Sequence, residues 1–104
     1  MNLNLYSVYD TAAAVYSRPF AATSDPAAIR TFCDIASDAT HDIGKHPEDY
    51  TLMRLGTFDD NDGTIRPEDP TRLITGLEAY ASARQNPTST PPLPDDISDV
   101  NEKD

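Results

Sequence analysis

The chain has no tryptophan, one cysteine, four glycines, and only eight lysines and arginines against 18 aspartates and glutamates. Each shortage excludes something. With Cys33 alone there is no intrachain disulfide and no thiolate cluster for zinc or an iron–sulfur centre, and a lone thiol fits a reducing compartment. A net charge of −10 argues against a protein that holds nucleic acid mainly through a dense Lys/Arg surface, so any such contact is expected to be local. No segment approaches the roughly 18 apolar residues of a membrane span. The opening "MNLNLYSVYD" also lacks the basic stretch and apolar run of a secretory signal. The expectation is a soluble, cytoplasmic protein that neither enters nor coats a membrane.

At 104 residues the length suits one domain, and composition divides it unevenly. Residues 1–85 carry the periodic apolar patterns. Residues 86–104, "NPTSTPPLPDDISDVNEKD", hold four of the nine prolines and five acids against Lys103. Such a segment buries too little surface to offset its ordering entropy, so a disordered acidic tail is expected, with Leu93, Ile97 and Val100 as its few docking-competent side chains.

Within the domain, "NLNLYSVYD" alternates, with Leu3, Leu5 and Tyr9 on one face and Tyr6 and Val8 on the other. With "AAAVYSRPF" it reads as a first β-hairpin. "TSDPAAIRTFCDIASDA" reads as a helix: Ser24 or Asp25 caps it, Pro26 fits its first turn, and Ile29, Phe32, Cys33 and Ala36 recur every three or four residues. Cys33 is then a small core side chain. "DYTLMRLGTFDDNDGTIRP" reads as a second hairpin turning at "DDNDG". "PEDPTRLITGLEAYASARQ" is ambiguous between a helix begun at Asp69-Pro70 and a short closing strand ending near Gly76. The fold expected is α+β: a small antiparallel sheet of two hairpins with one helix packed on a face.

Several motifs that resemble chemistry fail on spacing. Gly44-Lys45 has Ala39 where a phosphate loop needs glycine and His46 where it needs Ser or Thr. "DDNDG" puts Phe58 where a calcium loop needs its first carboxylate, so a turn closed by Gly63 is the better reading. His41 and His46, with Asp42, Glu48 and Asp49, supply metal-ligand types, but the stretch is broken by Gly44 and Pro47 and nothing in the spacing converges the rings. No metal, cofactor or catalytic residue is therefore expected. What remains is recognition: aromatics such as Tyr6, Tyr9, Tyr16, Phe20, Tyr50 and Phe58 near Arg18, Lys45 and Arg54 are the equipment that stacks single-stranded bases, although a small core uses the same aromatics. "GKHPEDY" itself reads as a structured loop entering the second hairpin, stiffened by Pro47.

The order of segments is more specific than any one motif. "LNLYSVYD", then "AAIRTFCDIASD", then "GKHPEDYTLMRLGTFDD" resembles the small non-structural protein of the gokushoviruses and related Microviridae, phages with circular single-stranded DNA. The likeness covers about residues 3–62, and "KHPEDYTLMRLGTFDD" is its specific part. The resemblance implies a non-catalytic protein of the host bacterial cytoplasm that acts at viral single-stranded DNA or its replication complex and links synthesis to packaging into the procapsid. The alternative is an adaptor that binds a replication or capsid protein without touching DNA. Arg18, Lys45, His46, Tyr50 and Arg54 are the candidate DNA or partner contacts, and so small a core is compatible with a homodimer through a sheet edge or face.

Overall fold

The structure, a computed structural model, describes residues 1–85. The acidic tail expected over 86–104, with Leu93, Ile97 and Val100, lies outside the described residues. Strands β1 (Asn2–Asp10), β2 (Val15–Tyr16), β3 (Phe20–Ala22), β4 (Tyr50–Asp59) and β5 (Ile65–Thr75) form one antiparallel sheet. Its order is β2-β1-β4-β5, with β3 paired to β1 on the same side as β2. Helices α1 (Asp25–Ala36) and α3 (Gly76–Gln85) and the single turn α2 (Asp42–Lys45) complete the α+β fold.

Both expected hairpins form. In the first, Tyr9 pairs with Tyr16 and Asp10 with Val15, but the returning strand breaks at Ser17–Pro19 before Phe20–Ala22 pairs with Tyr6–Asn4. The break has a local cause: the Ser17 hydroxyl accepts the Val8 amide at 2.9 Å, and Pro19 has no N–H to offer the ladder. In the second, Asp59 Oδ1 accepts the Asn61 amide, Asp62 Oδ1 accepts the Thr64 amide, and Gly63 sits at φ +77°, as a turn at "DDNDG" requires.

Cross-strand partners share a face, so the register defines two surfaces. Asn4, Tyr6 and Val8 lie with Thr57, Arg54 and Leu52, and Ile74 joins them opposite Leu52. The helices cover this side: Tyr6, Leu52, Ala28, Phe32, Ala36, Ile43 and Ala79 form the buried core. Burying Phe32 and Leu52 contributes roughly 1.5–3 kcal/mol each. The other side consists of four rows: Leu3–Phe58–Ile65, Ala21–Leu5–Gly56–Pro67, Ser7–Met53–Arg72, and Tyr16–Tyr9–Thr51–Thr75. None of its large apolar residues belongs to the core cluster.

The helix α1 starts as the sequence indicates, with Ser24 Oγ accepting the Ala27 amide at 3.2 Å. Its first residue, Asp25, ties it to the sheet: Oδ1 accepts the buried Tyr6 hydroxyl at 2.6 Å and Asn4 Nδ2 at 3.3 Å, and Oδ2 accepts Arg54 at 3.0 Å. The ambiguous closing segment is strand and then helix. Ile74 pairs with Leu52 and Thr75 with Thr51 at the end of the ladder, and the chain then turns into α3. A reciprocal cap fixes the switch, the Thr75 hydroxyl accepting the Glu78 amide and Glu78 Oε1 accepting the Thr75 amide. The sheet is therefore covered by two packed helices where the sequence indicated one.

Candidate binding groove

The stretch "GKHPEDY" is built as two short turns in series. His41 caps α2, its Nδ1 accepting the Ile43 amide at 3.1 Å, which holds that nitrogen's lone pair inward. Gly44 follows because no side chain fits: a Cβ there would lie 1.8 Å from the Asp38 carbonyl oxygen. A 3-10 turn over Pro47–Asp49 then leads into β4 at Tyr50. The Asp49 carbonyl oxygen accepts both the amide and the hydroxyl of Thr11, which anchors this corner to the tip of the first hairpin. Gly76 closes the corner from below, with the Pro47 carbonyl oxygen 2.0 Å from where its Cβ would stand.

These turns wall one side of a groove of ≈ 380 Å³. Val8, Val15, Phe20, Ile35, Ile43 and Tyr50 supply most of its lining, with Asp10, His41 and Asp42 as the charged or ionisable groups. A second, wholly apolar hollow of ≈ 290 Å³ shares Val8, Phe20 and Ile35 with it and extends toward Phe32. Tyr50 is half-buried, packed against the core and open to the groove. Burial, and next the Asp10 carboxylate, push its phenol above the ordinary tyrosine range.

The five candidate contacts separate into a group and an outlier. Arg18 follows Ser17, and Lys45 and His46 follow Ile43, both of which line the groove, while Tyr50 is in the lining itself. Arg18 and Lys45 are exposed and form no ion pair among the described residues. Arg54 lies instead between α1 and β5, 3.0 Å from Asp25 and 3.5 Å from Glu68, so its charge serves the helix–sheet junction. The 3.5 Å approach lacks hydrogen-bond geometry, and the Arg54 Nε is left without a bonded acceptor.

The histidines part company. His41 is taken up as a cap, whereas His46 Nδ1 stands 3.8 Å from Glu48 Oε2, and a ligand atom of each of His46, Glu48 and Asp49 lies within 4.8 Å of the others. His46 and Glu48 are exposed, and solvent satisfies such groups without an ion. Cys33 is half-buried beside the core, and burial raises its thiol above the ordinary range, which suits packing rather than nucleophilic chemistry. Sequence reasoning missed the groove walls Val15, Ile35 and Ile43, since they come from three separate elements and share no periodicity.

Comparison with known proteins places this arrangement. A family model described as "Phage ORF5 protein" matches residues 3–79. The chain belongs to the Phage ORF5 family. A curated relative, "Protein ORF5" of Chlamydia phage 1, is 34% identical over 73 residues, which is 66% of this chain and 76% of that protein. No solved structure matches. The chain is thus a small phage protein of the group that its segment order resembled, and every groove-lining residue of this Phage ORF5 member falls inside the matched span. Among the described residues no helix is long and apolar enough to cross a membrane.

Proposed function

We propose that this Phage ORF5 protein is a non-catalytic factor that acts at viral single-stranded DNA or its replication complex, in the cytoplasm of the bacterial host, and links DNA synthesis to packaging into the procapsid. The observation that carries the reading is the groove, lined by the half-buried Tyr50 and by Phe20, with Arg18 next in the chain to its lining residue Ser17 and Lys45 just beyond its lining residue Ile43, both cations exposed and without an ion pair among the described residues. An unstacked base inserts against Tyr50 and Phe20, while Arg18 and Lys45 take the flanking phosphates. His41 in the groove wall is committed to its cap, and the Ser17 hydroxyl there accepts the Val8 amide and lies 3.1 Å from the Ser7 hydroxyl, an arrangement that favours binding over turnover.

The test is fluorescence anisotropy of a labelled single-stranded oligonucleotide against the full chain at low and physiological salt. Saturable binding that weakens with salt, and falls further in Arg18→Glu and Lys45→Glu, supports the reading. A salt-independent signal, or none at high protein concentration, overturns it.

One observation favours a second reading. Asp10 and Asp42 stand in the groove wall and repel phosphate, but they suit an apolar peptide that carries a cation. On that reading the protein is an adaptor for a replication or capsid protein and never touches DNA. The adaptor reading predicts that Asp42→Asn strengthens no oligonucleotide binding and weakens capture of the phage replication or capsid protein.

A further inference from the structure

The side of the sheet away from the helices is a second surface, independent of the groove. Leu3, Leu5, Tyr9, Met53 and Phe58 stand on it, and the paired positions of its four rows hold no aspartate or glutamate, Glu68 and Asp69 falling at the register shift of β5 between the partners of Arg54 and Gly56. That is a marked exception in a chain with 18 acids and a net charge of −10. The opposite side keeps Asp10 and Asp59 in its rows. An open apolar patch of this kind on a soluble protein marks an interaction site, since patches beyond a few hundred Å² are uncommon on monomers.

Charge selects the occupant. Arg72 is the only cation in the four rows, and its Nη2 is already 2.9 Å from Glu78 Oε1. Phosphates, or an acidic segment such as residues 86–104 with five acids against one lysine, find no counter-charge there. A flat, uncharged, apolar partner fits, and the chain itself supplies one. We infer that two copies of this chain pack face to face through the open side of the sheet, around a two-fold axis, with Leu3, Leu5, Tyr9, Met53 and Phe58 of each copy in the contact.

The size is sufficient. Four strand positions, each about 4.8 Å wide, and a β1 of nine residues give a face roughly 19 by 30 Å, a projected area of roughly 570 Å². Side-chain relief brings this toward the about 800 Å² per partner of a standard specific interface. With no carboxylate at its paired positions, and with Glu78 already matched to Arg72, this side opposes fewer like charges between two strongly acidic copies than the helix-covered side, whose rows keep Asp10 and Asp59. Self-association therefore tightens as salt rises, the opposite sign from DNA binding.

The test is sedimentation equilibrium of the full chain at low and high salt, with the amide spectrum followed across the same concentrations. The expected result is a monomer–dimer equilibrium that strengthens with salt, with concentration-dependent shifts centred on Leu3, Leu5, Tyr9, Met53 and Phe58. Leu5→Glu, with its fold checked by circular dichroism, weakens the dimer by about a hundredfold or more, because each copy brings an unpaired carboxylate into the contact. If that variant unfolds, the wild-type shifts alone decide. A monomer at all concentrations and salts overturns the inference. So does a dimer whose shifts lie at the β5 edge or in the groove, and so does a monomer in which these residues respond to the tail or to added single-stranded DNA.

Discussion

Replacing Asp25 with alanine tests how the helix layer is fastened to the sheet. The Asp25 carboxylate holds Tyr6, Asn4 and Arg54 together, and Tyr6 is fully buried, so its hydroxyl loses its charged acceptor when the carboxylate is removed. Leaving that donor unsatisfied costs about 1–3 kcal/mol. The Asp25–Arg54 pair is about one-third exposed, so solvent screening limits its share to about 0–1 kcal/mol. Loss of an acid from the first turn of α1 removes about 0.3–1 kcal/mol. The total is roughly 1–5 kcal/mol, and each kcal/mol lowers the thermal midpoint of a domain this size by about 4–8 °C. Tyr6→Phe removes the stranded hydroxyl, so Asp25→Ala in that background costs less than in the wild type, with a coupling of roughly 1–2 kcal/mol. Urea unfolding of the four proteins measures the cycle. Effects that add to within about 0.5 kcal/mol would falsify the claim that Tyr6 and Asp25 act as a unit.

Three further outcomes follow from the same structure. Burial, reinforced by the bond to Asp25, pushes the Tyr6 phenol up to about 12, so its contribution to stability is complete below the ordinary tyrosine pKa of 10.0 and is lost as pH rises toward 12. Tyrosinate absorbance should show one of the five tyrosines ionising only as the protein unfolds, and Tyr6→Phe should flatten the alkaline loss of stability. Glu78 is held below the ordinary glutamate range, first by the Thr75 amide and also by Arg72, so its contribution is present above the unfolded pKa and disappears as pH falls through the folded one. Glu78→Gln, which keeps a capping acceptor but not the charge, should lower stability at neutral pH by the amount the wild type loses through Glu78 in acid and so shrink that acid-side loss, and an unchanged acid limb would refute the assignment. Gly44→Ala forces the Asp38 backbone to move and should cost about 1–3 kcal/mol in urea, with Ile43 and Asp42 displaced from the groove, whereas a neutral substitution would show that the corner tolerates a side chain.

The sequence carried the two hairpins because their signals are local. Alternation placed Leu3, Leu5 and Tyr9 opposite Tyr6 and Val8, as the register confirms, and "DDNDG" names its own turn. The start of α1 was equally legible from Ser24 and Pro26. The closing segment was not, because Asp69-Pro70 imitates a helix start while the strand continues opposite Arg54. The signal that settles it, Thr75-Gly76-Leu77-Glu78, is a capping box that stands five residues later. Of the candidate contacts Arg18, Lys45, His46 and Tyr50, legible as residue types, Tyr50 lines the groove and the other three are near neighbours in the chain of its lining residues Ser17 and Ile43. Arg54 looked equivalent in sequence, but its carboxylate partners Asp25 and Glu68 are distant along the chain. The open face was half visible in the alternation of β1, and only the pairing with β4 and β5 shows that the paired positions of its rows carry no acid.

The measurement that tests the account most directly is the amide spectrum of the full chain during titration with a single-stranded oligonucleotide at low salt. The account predicts saturable shifts at Ser17, Arg18, Ile43, Lys45 and Tyr50, reversed by added salt, with Leu3, Leu5 and Met53 unmoved. Shifts centred on Leu3, Leu5 and Met53, or an unchanged spectrum at excess oligonucleotide, would contradict it.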